Sequence, residues 1–148
     1  MSVRPVRGFT LIEMVIVVTL IAVLASIAIP SYRNYVVSAQ RTIAKSALVE
    51  LQARQEGYYV DRKRYATLLT RLAYPADPAW LNAQGEPDSS EQDDSIYQIV
   101  LEDVTVTGYT LSAIPVGAQA DDSRCGTLTI VASGRKSASG SDGLDCWR

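Results

Sequence analysis

The chain has 148 residues, a formal net charge of −2, two cysteines and no histidine. That length holds one domain and an anchoring segment but not two independent cores, and the near-neutral charge excludes a global polycation for nucleic acid. Without histidine the commonest general base and metal ligand is missing, and two cysteines alone fall short of a four-ligand metal site.

The first element is an apolar helix. Phe9 to Ile29 is a run of 21 residues in which Glu13 is the only formal charge. At about 1.5 Å per residue it is long enough to cross a bilayer's hydrocarbon core. A carboxylate inside such a run costs roughly 2.5–3.5 kcal/mol at mid-membrane, less near the interface, so Glu13 is a functional candidate by default. The plainer alternative is a solvated acid at headgroup level. Arg4, Arg7 and Gly8 precede the run. A secretory signal carries its small-residue cleavage site after the apolar region, whereas here the glycine comes first. Cleavage there would release a short leader, residues 1–8, and leave the helix on the product. Pro30 removes a backbone donor and crowds the preceding turn, which predicts a kink or local opening.

From Ser31 the pattern becomes amphipathic. Val36, Ala39, Ile43, Ala47, Leu51 and Tyr58 recur at helical spacing, with Arg33, Arg41, Lys45 and Arg54 largely off that stripe. Gly57 and the Tyr58-Tyr59-Val60 cluster set the expected helix end near residue 57. The result is one helix of about 50 residues, its first half (9–30) apolar all round. Residues 61–74 predict a short helix or turn. Residues 75–95, with Pro75, Pro78, Pro87, Asn82 and Gly85, predict a long connection. Then the period becomes two. Ile96–Leu101, Tyr109–Ala113 and Thr127–Val131 read as strands, with a short fourth at 135–138. Short connections favour antiparallel pairing. The fold class is therefore α+β: a long N-terminal helix packed on a small antiparallel sheet spanning 96–138.

Cys125 and Cys146 have twenty residues between them. Buried free thiols are one reading. A disulfide is the favoured one, since the anchor would deliver this region to an oxidising compartment. The intervening tail around Ser139 to Gly143 is flexible by composition, and the bridge would pin it back.

Gly8-Phe9-Thr10-Leu11-Ile12-Glu13 resembles the start of type IV prepilins and pseudopilins. The resemblance implies a membrane peptidase that cuts after Gly8 and methylates the new Phe9 amine. Glu13 falls on the family's acidic position and Pro30 on its kink-forming proline, where the helix can melt during filament assembly. Tyr58-Tyr59, Tyr65-Ala66, Tyr109-Thr110-Leu111, Cys125-Gly126-Thr127-Leu128 and Cys146-Trp147 further resemble a PilE-type minor pilin. In that family the Glu13 carboxylate would pair with the Phe9 amine of a neighbouring subunit. The positive-inside count is nearly balanced by Arg33, Arg41 and Lys45. The cysteine pair and the prepilin motif set the expected topology: N-terminus cytoplasmic, one pass through the inner membrane, residues 31–148 periplasmic, then export into a pilus.

The resemblance implies a structural subunit with no catalysis and no cofactor. It would contact other pilins through the N-terminal helix, and would serve assembly, adhesion, twitching motility or DNA uptake. A type II secretion pseudopilin is the alternative within the class. A DNA- or surface-binding module is the alternative outside it, and Arg62, Lys63, Arg64 and Arg71 among Tyr58, Tyr59 and Tyr65 carry that reading. Such a run is more often a solvated helix end or is paired with acids, and the 86–94 loop supplies several. The pairs Asp93-Asp94 and Asp121-Asp122 read as solvated surface acids rather than metal ligands.

Overall fold

The computed structural model describes residues 9–148, which divide after Val36 into two compact units. Helix α1 (Leu11–Arg62), preceded by Phe9 and Thr10, supplies the described part of the first unit and begins the second. In the first unit no described side chain is buried, and Leu11, Ile12, Val18, Leu24, Ile27 and Ile29 are all exposed. A helix that is apolar on every side has no polar face to give to water, so it belongs in hydrocarbon or among other helices. It is the one helix among the described residues long and apolar enough to cross a membrane.

The second unit is a six-stranded antiparallel sheet against the other half of α1. Its strands are β1 (Ala79–Asn82), β2 (Pro87–Asp88), β3 (Ser95–Glu102), β4 (Thr110–Pro115), β5 (Leu128–Val131) and β6 (Lys136–Ala138), in the order β2-β1-β3-β4-β5-β6. Register aligns the apolar positions. Ala79 sits opposite Ile99, Ile99 opposite Ala113, and Ala113 opposite Leu128. A second row runs Leu101, Leu111, Ile130. With side chains alternating between faces, both rows point the same way. They share one core with Ala44, Ala47, Leu48 and Leu51 of α1. Each large member contributes roughly 1.5–3 kcal/mol through burial.

Three expectations need correction. The helix does not stop near Gly57 but runs on to Arg62, and Lys63 turns left-handed with φ 55°. Gly57 faces open space, so it costs only its propensity, about 1 kcal/mol. Two residues before it, the buried Gln55 side chain clamps the chain that follows α1, donating to Ala66 O at 2.9 Å and accepting from Ala66 N–H at 2.8 Å.

The expected loop at 75–95 contains the β1–β2 hairpin. Four-residue β1 buries only Ala79 and Leu81, too short a period to stand out among prolines, and Pro87 is tolerated because β2 is an edge strand.

The 139–143 tail is tied down rather than loose. Ser139 N–H donates to Thr127 O at 3.0 Å and Gly140 N–H to Cys125 O at 2.9 Å. A Cβ at residue 140 would run into the Arg124 carbonyl, so the backbones approach closely only with glycine there.

Candidate assembly and nucleic-acid surfaces

Glu13 has a partner just ahead of its own helix. Thr10 precedes the first helical residue, and Glu13 is the third residue of α1. Glu13 N–H donates to Thr10 Oγ1 at 3.3 Å, and Thr10 N–H donates to the Glu13 carboxylate at 3.2 Å. The Thr10 hydroxyl also donates to that carboxylate at 3.2 Å. This is a reciprocal capping box, in which two orphan donors of the helix start are satisfied. Thr-x-x-Glu ahead of an apolar run is its sequence signature and was visible at Thr10-Leu11-Ile12-Glu13. Pro30 lies within α1, whose assignment is unbroken there. Gly8 lies outside the described residues.

The C-terminal quarter is organised around a charge pair. A disulfide joins Cys125 to Cys146. Just before it, Asp122, expected on the surface, turns inward and meets Arg41 of α1. Nε and Nη2 of Arg41 donate to the two carboxylate oxygens at 2.6 Å each. The carboxylate side chain is 1 % exposed and the guanidinium 14 %. Asp122 also accepts the Cys125 N–H at 3.2 Å and a bond from Gln119 Nε2 at 3.3 Å.

Gln119 Nε2 lies 3.0 Å from the Tyr97 hydroxyl and 3.3 Å from Val37 O, so its donors reach both the sheet and α1. Burial pushes the Tyr97 phenol up to about 12. Asp122 therefore carries the negative charge of the network at neutral pH. Burial works to raise its carboxyl, but the bidentate Arg41 contact and the Cys125 N–H outweigh that and hold it below the ordinary range. The pair leaves no local signal in the sequence, because its members are 81 positions apart.

The third cluster gathers at the end of α1. The Arg62 guanidinium lies 4.7 Å above the Tyr58 ring, and Arg71 Nη1 donates to the Tyr58 hydroxyl at 3.4 Å. Two cations expected as a loose run thus converge on one phenol. The Arg71 hydrogen bond, with help from the Arg62 charge, holds that phenol below its usual value. Tyr59, Tyr65 and Tyr109 form a ladder, with 4.8 Å between successive ring centroids. The Tyr109 hydroxyl, raised by burial and by Glu56, donates to Glu56 at 3.2 Å.

Lys63 and Arg64 are exposed beside this cluster. Among the described residues none of Arg62, Lys63, Arg64 and Arg71 is in an ion pair, so the acids of 86–94 do not neutralise them. Neighbouring Arg54, by contrast, is occupied by Glu50 at 2.5 Å and by Leu72 O at 2.6 Å.

A long N-terminal helix with an apolar first half, an antiparallel sheet against its second half and a C-terminal disulfide loop together define a pilin-like protein. Residues 3–29 match the prokaryotic N-terminal methylation motif. Residues 30–129 match the family described as "Type IV minor pilin ComP, DNA uptake sequence receptor". The chain belongs to that type IV minor pilin family.

The type IV major pilin protein PilA of Myxococcus xanthus is 35 % identical over 68 residues, covering 46 % of this chain and 31 % of that protein. The type II secretion system core protein G of Dickeya chrysanthemi is 36 % identical over 64 residues, 43 % of this chain and 42 % of that protein. The matches thus span less than half of these relatives. A solved type IV pilin from Shewanella oneidensis aligns with a TM-score of 0.46 and 19 % identity, over 68 % of this chain and 89 % of that one.

Proposed function

We propose that this protein is a minor subunit of a type IV pilus whose second unit presents a DNA-binding surface. The carrying observation is the match of residues 30–129 to a DNA uptake sequence receptor family, because it falls on the sheet-bearing unit. It also favours a pilus over a secretion pseudopilus, although core protein G is among the relatives. Before assembly, the 9–30 segment holds the subunit in the inner membrane with its C-terminus periplasmic. The prepilin peptidase cuts after Gly8 and methylates Phe9. In the filament Glu13 pairs with a neighbour's Phe9 amine, helix opening near Pro30 accommodates packing, and other pilins are the partners along the N-terminal helix. The role is structural and recognitional, not catalytic.

The surface at the end of α1 has the chemistry DNA binding requires. Unpaired Arg62, Lys63, Arg64 and Arg71 would neutralise phosphates, and the Tyr59 and Tyr65 faces of the ladder would stack on exposed bases or sugars. Fluorescence anisotropy of labelled DNA with the mature protein in nanodiscs, across a salt series, tests this. Each phosphate contact contributes about 0.9 to the slope of log K against log salt on duplex DNA. Arg62→Gln with Arg71→Gln should therefore flatten the slope by nearly two and weaken binding on all sequences. An unchanged slope and affinity would remove this cluster from the proposal. No measurable binding by the wild-type protein would remove the DNA reading altogether.

A further inference from the structure

Between the apolar run and the start of the second unit at Val37, α1 carries Tyr32, Arg33 and Tyr35. Tyr32 and Tyr35 are 69 % and 74 % exposed and, three residues apart, are neighbours on the helix surface. Arg33 is exposed, is in no ion pair among the described residues, and is the only basic side chain from Phe9 to Val37.

We infer that these three side chains form a membrane collar, docking into the headgroup layer of the outer-facing leaflet and fixing the depth of the stored subunit. The inference rests on reading residues 9–30 as a membrane span. From Leu11, where α1 starts, to Ile29 is eighteen helical steps, about 27 Å, and Phe9 and Thr10 precede it, so the apolar segment comes close to the hydrocarbon thickness of about 30 Å. The headgroup region then occupies roughly 5–7 Å on each side. The Tyr32 Cα lies three steps past Ile29, about 4.5 Å, and the Tyr35 Cα six steps, about 9 Å. Helical Cα–Cβ bonds tilt toward the N-terminus, so both rings lean back toward the bilayer and fall within that layer. A phenol has an apolar body and a polar tip, the composition that gathers tyrosine at membrane interfaces. The Arg33 guanidinium, a planar fork, suits lipid phosphates. The next cation along the helix, Arg41, is taken by Asp122 and is unavailable for this role.

The test uses the full mature chain in vesicles of phosphatidylethanolamine and phosphatidylglycerol. A nitroxide is placed at Ser31→Cys, with the native cysteines kept in their disulfide, and depth is read by power saturation with oxygen and a nickel chelate. The label should report headgroup depth. Tyr32→Ala with Tyr35→Ala should shift it by about one helix turn, ~5 Å, or spread it over a range of depths. Tyrosine-to-tryptophan replacements at both positions should restore the wild-type value. An unchanged depth in the double alanine variant overturns the collar. So does a variant at wild-type depth that fails only in pilus incorporation, which would give these tyrosines to subunit contacts. A label at Val23→Cys separates the two layers of inference. If that site is open to the aqueous chelate, the span itself fails and the collar with it; if it is shielded, only the collar is at stake.

Discussion

Replacing Asp122 with asparagine keeps the side chain's shape and removes its charge. The carboxylate is 1 % exposed and receives two donors from Arg41, itself 14 % exposed. Removing one partner of a buried pair leaves the other charge uncompensated, at roughly 3–5 kcal/mol. Because Arg41 keeps some contact with water and the amide oxygen can still accept one bond, the lower end applies, about 3 kcal/mol at neutral pH.

The pH dependence follows from the direction of the shift. The folded carboxyl is held below its unfolded value, so its contribution is present above the ordinary carboxylate range near 4 and is lost as pH falls through the lower folded value. Urea denaturation of the folded unit, followed from pH 7 down to pH 3, should therefore show the wild type losing its advantage over Asp122→Asn at the acid end. A double cycle with Arg41→Gln should show the second substitution costing little once the first is made. A variant within 0.5 kcal/mol of wild type at pH 7, or a difference that does not shrink in acid, would refute the pairing as a source of stability.

The disulfide closes a loop with a sequence separation of 21, so Cys125→Ser should destabilise the folded unit by roughly 3 kcal/mol in denaturant titration, and alkylation of native protein should find no free thiol. Gln55→Leu removes both bonds to Ala66 inside a buried site and should cost roughly 2–4 kcal/mol, with increased amide exchange at Ala66. Gly8→Val should leave uncleaved precursor in the membrane fraction; mature-sized protein from it would sink the processing assignment. Glu13→Leu should insert and be cleaved but lose over a hundredfold in pilus incorporation, with Glu13→Gln intermediate, read by quantitative blotting of sheared pili.

Periodicity made the long strands legible, since Ile96–Leu101, Tyr109–Ala113 and Thr127–Val131 alternate over enough residues to stand above chance, and the cysteine pair with its expected oxidising compartment made the disulfide legible. It failed where the period was too short, at Ala79 and Leu81, and where an isolated residue looked decisive. Gly57 read as a stop because its propensity is local information, while the Gln55–Ala66 clamp is tertiary.

The helix stripe was read in its direction but not in its members. Ala47 and Leu51 are buried as expected, yet Ala44, Leu48 and Gln55 complete the face while Ala39 stays exposed. Polarity misled most. Asp121 and Asp122 are adjacent and chemically identical, and only the fold sends one of them inward to Arg41. The basic run was visible as composition, but the convergence of Arg62 and Arg71 on Tyr58 depends on the turn between them.

The capping box changes how Glu13 should be understood. In the proposed filament the carboxylate pairs with a neighbour's amine, and an isolated subunit would then carry an unpaired anion in its apolar segment. The geometry removes that difficulty. Glu13 is the third residue of its helix, close to the positive end of the macrodipole, and is hydrogen-bonded to both the N–H and the hydroxyl of Thr10. A capping interaction of this kind is worth about 1 kcal/mol, whereas leaving one member of a buried pair alone costs roughly 3–5 kcal/mol. The local partner is therefore strong enough to make the anion tolerable near the interface and weak enough to be exchanged when an amine arrives. Thr10 becomes part of the same device. Thr10→Ala would weaken the storage state without touching the pair, so its effect on pilus incorporation should be opposite in sign to that of Glu13→Gln, or absent. A Thr10→Ala loss as deep as that of Glu13→Leu would show that the threonine hydroxyl belongs to the filament contact itself.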